Sequence, residues 1–191
     1  MSTLLKHPDI IGLEFHVDYW DTNDWRDPFS DPAYTELQRV KSKRGNHEQS
    51  YTPQVWLDGR IWANWPRGSP PAPVDAAPPA LRLAVELGDP LKVRSDGDAG
   101  PPGSDFRVYV ALTENGLSEH VRGGENRGKT LGHDEVVRGF AGPLALPRAE
   151  TTLKMPAHAE VMRTAVVAFV EDERDGSILQ AVRLPLAECR R

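Results

Sequence analysis

The chain has 191 residues, 39% of them apolar and 27% charged, the mixture of a globular protein large enough for one large domain or two small ones. A net charge of −5 without any basic stripe excludes a nucleic-acid binder, and no apolar run is long enough to span a membrane. The one cysteine, Cys189 beside the C-terminus, excludes an internal disulfide, a CxxC redox pair and a thiolate metal cluster within this chain.

In chain order, residues 10–17 (IIGLEFHV) predict a mostly buried strand with Gly12 inside it. Residues 18–28 carry too much Asp and Asn for regular structure and read as a loop. His16, Asp18, Tyr19, Trp20, Asp21, Trp25, Asp27 and Phe29 crowd the end of that strand. The carboxyl ends of strands are where open α/β sheets place ligand crevices, which makes this stretch the candidate site. Ser30 or Asp31 suits a helix cap and Pro32 its first turn. Ala33, Tyr34, Leu37 and Val40 mark one face of a helix to about Arg44, where Gly45-Asn46 stops it. Lys41, Lys43 and Arg44 then lie favourably at its negative pole. Beyond it, Tyr51 to Trp62 reads strand, Asp58-Gly59 turn, strand, the strongest hairpin signal in the chain.

Residues 69–80 (SPPAPVDAAPPA) predict an extended proline-rich linker. All five tryptophans precede it. That asymmetry favours two units, 1–68 and 81–191. In the second, Leu81, Leu83, Val85 and Leu87 alternate with polar or small residues, as do Phe106, Val108, Val110 and Leu112. Further strands are expected around Val121, Val136-Val137, Leu153, residues 164–170 and residues 178–186, with turns at Asn115-Gly116, Gly123-Gly124 and Asp175-Gly176. Short strands at this spacing predict an antiparallel β-sandwich. Residues 88–105, rich in Gly, Pro and Asp, read as a long mobile loop.

Five motifs of the first unit occur together: FHVDYWD at 15–21, Trp25 with DPF at 27–29, YTPQ at 51–54 and DGR at 58–60. With GEN at 124–126, Gly128, Leu131, His133 and VVR at 136–138, they resemble a family of secreted bacterial thioredoxin-like proteins catalogued as a domain of unknown function. The resemblance implies an α+β protein: a thioredoxin-like α/β domain at 1–68, then an antiparallel β-sandwich domain at 81–191. It implies that Thr52-Pro53 is the cis-proline peptide of that fold, and that the protein is periplasmic or secreted. Family members usually begin, behind a signal sequence, with a strand and a helix carrying a CxxC pair. This chain is read as starting after that segment, so its thioredoxin-like domain is incomplete, and with Met1 as the true start it would be cytoplasmic. The absent strand would leave sheet edges exposed, from which self-association into a homo-oligomer is expected.

His16 and Asp18, two apart on a strand, share a face, so Asp18 could orient His16 as base or metal ligand. No third ligand has metal-site spacing, so the pair reads as structural, and neither metal nor cofactor is expected. Tyr19, Trp20 and Trp25, with Thr52 and Pro53, form a candidate groove for a peptide or protein ligand, together with His16 and Asp18. Glu125, Asn126, His133 and Arg138 read as a polar network between the units. Two functions remain open, and behind them stands metal-dependent chemistry at His16 and Asp18. One is a non-catalytic binding or interaction module. The other is a fragment of a periplasmic thiol–disulfide oxidoreductase whose cysteine pair lies upstream of Met1.

Overall fold

The computed structural model describes residues 7, 9–45, 49–65, 67–68, 70 and 80–189. Apart from Pro70 and Ala80, the expected linker lies outside them. The described protein is mostly β, with one α-helix and several antiparallel sheets. No described helix is long and apolar enough to cross a membrane.

Helix α1 spans Pro32–Arg44; strands β1 (Trp56–Leu57) and β2 (Arg60–Ile61) follow. Beyond the linker come β3 (Leu81–Glu86), β4 (Leu91–Gly97), β5 (Phe106–Glu114), β6 (Leu117–His120) and β7 (Thr130–His133). The last strands are β8 (Val136–Ala145), β9 (Arg148–Leu153), β10 (Thr164–Asp172) and β11 (Ile178–Pro185). A four-stranded antiparallel sheet runs β11-β10-β5-β8, and a three-stranded one runs β3-β4-β9. The two face each other across one apolar core. Val108, Val110 and Leu112 of β5 and Val166, Ala168 and Val170 of β10 meet Leu81, Leu91, Val93, Ala149 and Leu153 of the smaller sheet.

The four-stranded sheet is covered on its other face too. Ala111, Val137 and Val167 pack there against Tyr34 of α1 and against Ile11, Leu13 and Phe15. Every residue of β10 is therefore buried, which explains its continuous apolar run. Phe15 sits edge-on to both Tyr34 and Phe140, each 5.2 Å between ring centroids. The N-terminal residues thus contribute a third layer to the larger sheet and share its core.

Three expectations need correction. Residues 10–17 do not form a regular strand. They are extended, with one parallel bridge of Glu14 to Val136 at the edge of β8 and another of His16 to Ser30. At the sheet edge Glu14 N–H donates to Glu135 O (2.8 Å), and Glu14 O accepts from Val137 N–H (2.9 Å). Alternation still holds: Ile11, Leu13 and Phe15 face the sheet, so Glu14 and His16 point the opposite way.

The second correction concerns residues 88–105. They contain β4, the central strand of its sheet, with Leu91, Val93 and Ser95 buried. Its alternation is plain, but flanking Gly, Pro and Asp residues masked it. The third is the buried face of α1, which is Tyr34, Thr35, Gln38 and Ser42, while Val40 is exposed. Polar side chains are buried here because each has a partner. Gln38 donates to Tyr51 O and to Gln54 Oε1, 2.9 Å each, and accepts from Tyr19 O–H. Asp31 caps the helix by accepting from Ala33 N–H at 2.8 Å, and Pro32 opens it.

The hairpin forms as read. Asp58 and Gly59 have φ of 49° and 83°, the left-handed pair of a type I′ turn. Its tip docks on the β10–β11 turn, where Asp58 O accepts from Ile178 N–H at 3.0 Å. Thr52-Pro53 is cis, the isomer the resemblance implies. Among the described residues, 9–68 supply one helix, one two-stranded hairpin and an extended segment.

Candidate functional site

The Asp-rich loop owes its shape to its own carboxylates. Asp21 accepts from Asp27 N–H (3.1 Å) and from Ser30 O–H (2.9 Å), and Asp27 Oδ1 accepts from Phe29 N–H at 2.9 Å. Such side-chain bonds to neighbouring backbone stabilise turns in place of helix or strand. The loop thereby folds back, and Asp27 reaches the end of the extended segment.

There Asp27 Oδ2 lies 2.6 Å from Nδ1 of His16. Across the ring, His16 Nε2 is 3.5 Å from Glu14 Oε1, and the same oxygen is 3.2 Å from Nδ1 of His133. The two imidazoles are 4.8 Å apart between centroids, and Phe29 stands edge-on to both. The His16 side chain is 8% exposed, yet among the described residues its Nε2 has no hydrogen-bond partner. Burial disfavours a charged His16, but the Asp27 hydrogen bond and the Asp27 and Glu14 charges outweigh it and raise the ring to about 9. Burial likewise opposes ionisation of Glu14, and the His133 hydrogen bond with the nearby His16 and His133 rings reverses that, bringing it down to about 2. Asp27 is lowered against its own burial by the His16 bond and the Phe29 N–H. Two carboxylates and two imidazoles therefore form a pocket that favours added positive charge.

Asp18 does not orient His16. Its carboxylate accepts from Thr35 O–H, and its N–H donates to Thr35 Oγ1 at 3.0 Å, tying the loop to α1. Of the expected network, His133 reaches the His16 cluster. Arg138 bonds Glu114 at 2.8 Å and lies 5.1 Å above the Phe29 ring. Glu125 and Asn126 remain exposed in their turn, where Asn126 accepts from Lys129 Nζ. Sequence reasoning missed Glu14 and His133 as partners of His16. Glu14 had a local signal, sharing a strand face with His16 at two residues' distance. His133 had none, being 119 residues from Glu14.

A second cluster sits on the surface. Trp20, 60% exposed, is held by its indole N–H donating to Thr52 Oγ1 at 2.9 Å. Tyr19 packs on it at 5.7 Å, and Tyr51, Thr52 and Pro53 are exposed alongside. Trp25 points elsewhere, donating to Glu119 of β6 at 3.3 Å.

This arrangement defines a mostly β protein with an α-helical N-terminal layer and a buried histidine–carboxylate pocket at its sheet edge. The chain belongs to the family described as Protein of unknown function (DUF1223), whose model matches residues 1–171. Among solved structures it is similar to Protein AGR_C_4864 from Agrobacterium tumefaciens, at 18% identity and a TM-score of 0.62, over all of this chain and 86% of that one. That likeness shows a shared fold. HBP35 of Porphyromonas gingivalis matches at 17% identity and a TM-score of 0.45, over 60% of this chain and 42% of that one. A domain of the outer membrane lipoprotein Omp28 from Porphyromonas gingivalis matches at 15% identity and 0.34, over 71% and 95%. Both are too distant in shape to carry an argument. No curated protein matches the chain.

Proposed function

We propose that this chain is a non-catalytic binding module that takes an extended polypeptide segment of a protein ligand against the rim formed by Tyr19, Trp20, Tyr51, Thr52 and Pro53. The observation that carries this reading is Trp20, whose ring is exposed while its indole N–H bonds to Thr52. A rigid exposed aromatic with a polar handle is what binding hot spots are made of, because it loses little side-chain entropy on binding. Gln38 supports the rim from below by bonding both Tyr19 and the Tyr51 backbone. The thioredoxin-like reading of 1–68, the linker at 69–80, the sandwich domain at 81–191 and a periplasmic or secreted location belong to this proposal. The hairpin at Asp58-Gly59 and the helix at Pro32–Arg44 support the first of them.

Dithiol catalysis by this chain is disfavoured by the position of its one cysteine. Cys189 packs against the sandwich core, and burial with Glu188 nearby raises its thiol. The test uses reduced, carboxymethylated lactalbumin, a permanently unfolded polypeptide, titrated by fluorescence anisotropy. Saturable binding that weakens at least tenfold in Trp20→Ala is expected. Equal affinity of wild type and variant, or no binding, overturns the reading, as does turnover of insulin disulfides by this chain.

A further inference from the structure

We propose that Glu14, His16 and His133 form a binding site for a divalent transition-metal ion of the zinc class, with Asp27 as the outer partner that orients His16. This does not depend on the peptide-binding reading, since the pocket uses different side chains.

The donor set is two imidazoles and one carboxylate, the nitrogen–oxygen combination that suits zinc and its neighbours and leaves a fourth position open. All three ligand atoms lie within 4.8 Å of one another. Tetrahedral zinc with bonds of ~2.0–2.1 Å requires ligand atoms about 3.4 Å apart. The His16 Nε2–Glu14 Oε1 and His133 Nδ1–Glu14 Oε1 separations, 3.5 and 3.2 Å, already meet that requirement. The third edge, between the two imidazole nitrogens, lies within the same 4.8 Å, and His133 stands at the end of β7.

Three independent features point to a cation. The first is His16 Nε2, buried and without a hydrogen-bond partner among the described residues while aimed at Glu14. A buried ring nitrogen left without a donor or acceptor is costly, and a metal satisfies it. The second is Asp27 on the opposite nitrogen of the same ring. Metal-bound histidines characteristically give their other N–H to a carboxylate, which selects the tautomer that leaves Nε2 to coordinate. Asp27 is itself anchored by Phe29 N–H. The third is charge. Glu14 and Asp27 set two carboxylates against the rings, and a divalent ion neutralises them.

Access fits as well. The side chains of Glu14 and His133 are 27% and 14% exposed while that of His16 is 8%, so solvent reaches the first two. Phe29 stands edge-on to both rings. Glu14 is fixed by its backbone pairing to β8, so the site exists only once the N-terminal segment docks on the sheet.

The experiment uses the full chain, freed of metal with a chelator, dialysed against zinc chloride and assayed by elemental analysis. In parallel, cobalt(II) is added and the visible absorption of tetrahedral cobalt is recorded. Stoichiometric zinc and an intense cobalt band are expected in wild type, and both are lost in His133→Gln and Glu14→Gln. These two side chains are partly exposed, so the variants should keep the metal-free circular dichroism spectrum of wild type. Asp27→Asn is expected to bind 10–100-fold more weakly, as outer-sphere partners do. His120→Gln, an exposed histidine elsewhere, should bind as wild type does. No stoichiometric zinc in wild type, or zinc retained in the folded His133→Gln and Glu14→Gln variants, overturns the proposal.

Discussion

The contact between α1 and the large sheet gives the sharpest test of how the N-terminal layer is held. Glu171 of β10 is 1% exposed, and its carboxylate accepts from Lys41 Nζ at 2.6 Å and from Arg44 Nη1. Arg44 Nη2 also bonds Glu173 at 2.9 Å, and Glu173 accepts from Tyr109 O–H. Exposed ion pairs contribute about 0–1 kcal/mol. A buried carboxylate stripped of its partners is different, because its desolvation is no longer offset, and the loss is about 3–5 kcal/mol. Lys41→Met with Arg44→Met should therefore destabilise the protein by about 3–5 kcal/mol. For a chain of this length that lowers the thermal midpoint by about 6–20 °C. Either single substitution leaves one cation in place and should cost about half as much. Adding Glu171→Met to the double variant should recover most of the loss, since an apolar group of similar volume replaces a buried charge at little cost. Urea unfolding with a constant m-value measures all four proteins. A double variant within about 1 kcal/mol of wild type would refute the reasoning, for the cluster would then behave as an exposed pair.

Three shorter tests address other parts of the fold. Leu91→Ala removes a 2%-exposed side chain from the core and should cost about 2–5 kcal/mol in urea unfolding, where a mobile loop would show almost nothing. Amide exchange should likewise find β4 among the slowest segments. Gly59→Ala puts a Cβ 1.9 Å from Gly176 O at φ +83°, so it should cost at least ~1–2 kcal/mol. Loss of the hydrogen bond from Ile178 N–H to Asp58 O, read by NMR, would show the hairpin leaving the β10–β11 turn. Asp18→Ala frees the loop from Thr35 and should lower stability by about 1–2 kcal/mol while leaving β-sheet circular dichroism unchanged.

Local chemistry was legible wherever neighbours in sequence are neighbours in space. Asp31-Pro32 starts the helix, Asp58-Gly59 turns the hairpin, and alternation in 81–86 makes a strand whose two sides differ, whereas the strand over 106–112 is covered on both faces. Legibility failed where punctuation and pattern disagreed, as at β4, whose alternating Leu91, Val93 and Ser95 lie between Gly-Pro-rich borders. It failed again at α1, because a helix face buried through hydrogen bonds carries no apolar stripe: Thr35, Gln38 and Ser42 look like surface residues until Asp18, Tyr51 and Gln54 are brought to them.

For the site the division is sharper. By itself the sequence determined that residues 10–29 put a histidine, carboxylates and aromatics after an apolar run, and that Thr52-Pro53 and the hairpin follow. Tertiary structure decided the partners. His16 has Asp18 two residues away in sequence, but Asp18 turns to the helix and Asp27 takes the ring, because the loop's own carboxylates fold it back. His133 arrives from the far end of the chain because Glu14 pairs with the edge of β8, next to which β7 ends. Backbone pairing at one bridge therefore brings together the imidazoles and the carboxylate, a convergence no local pattern can encode.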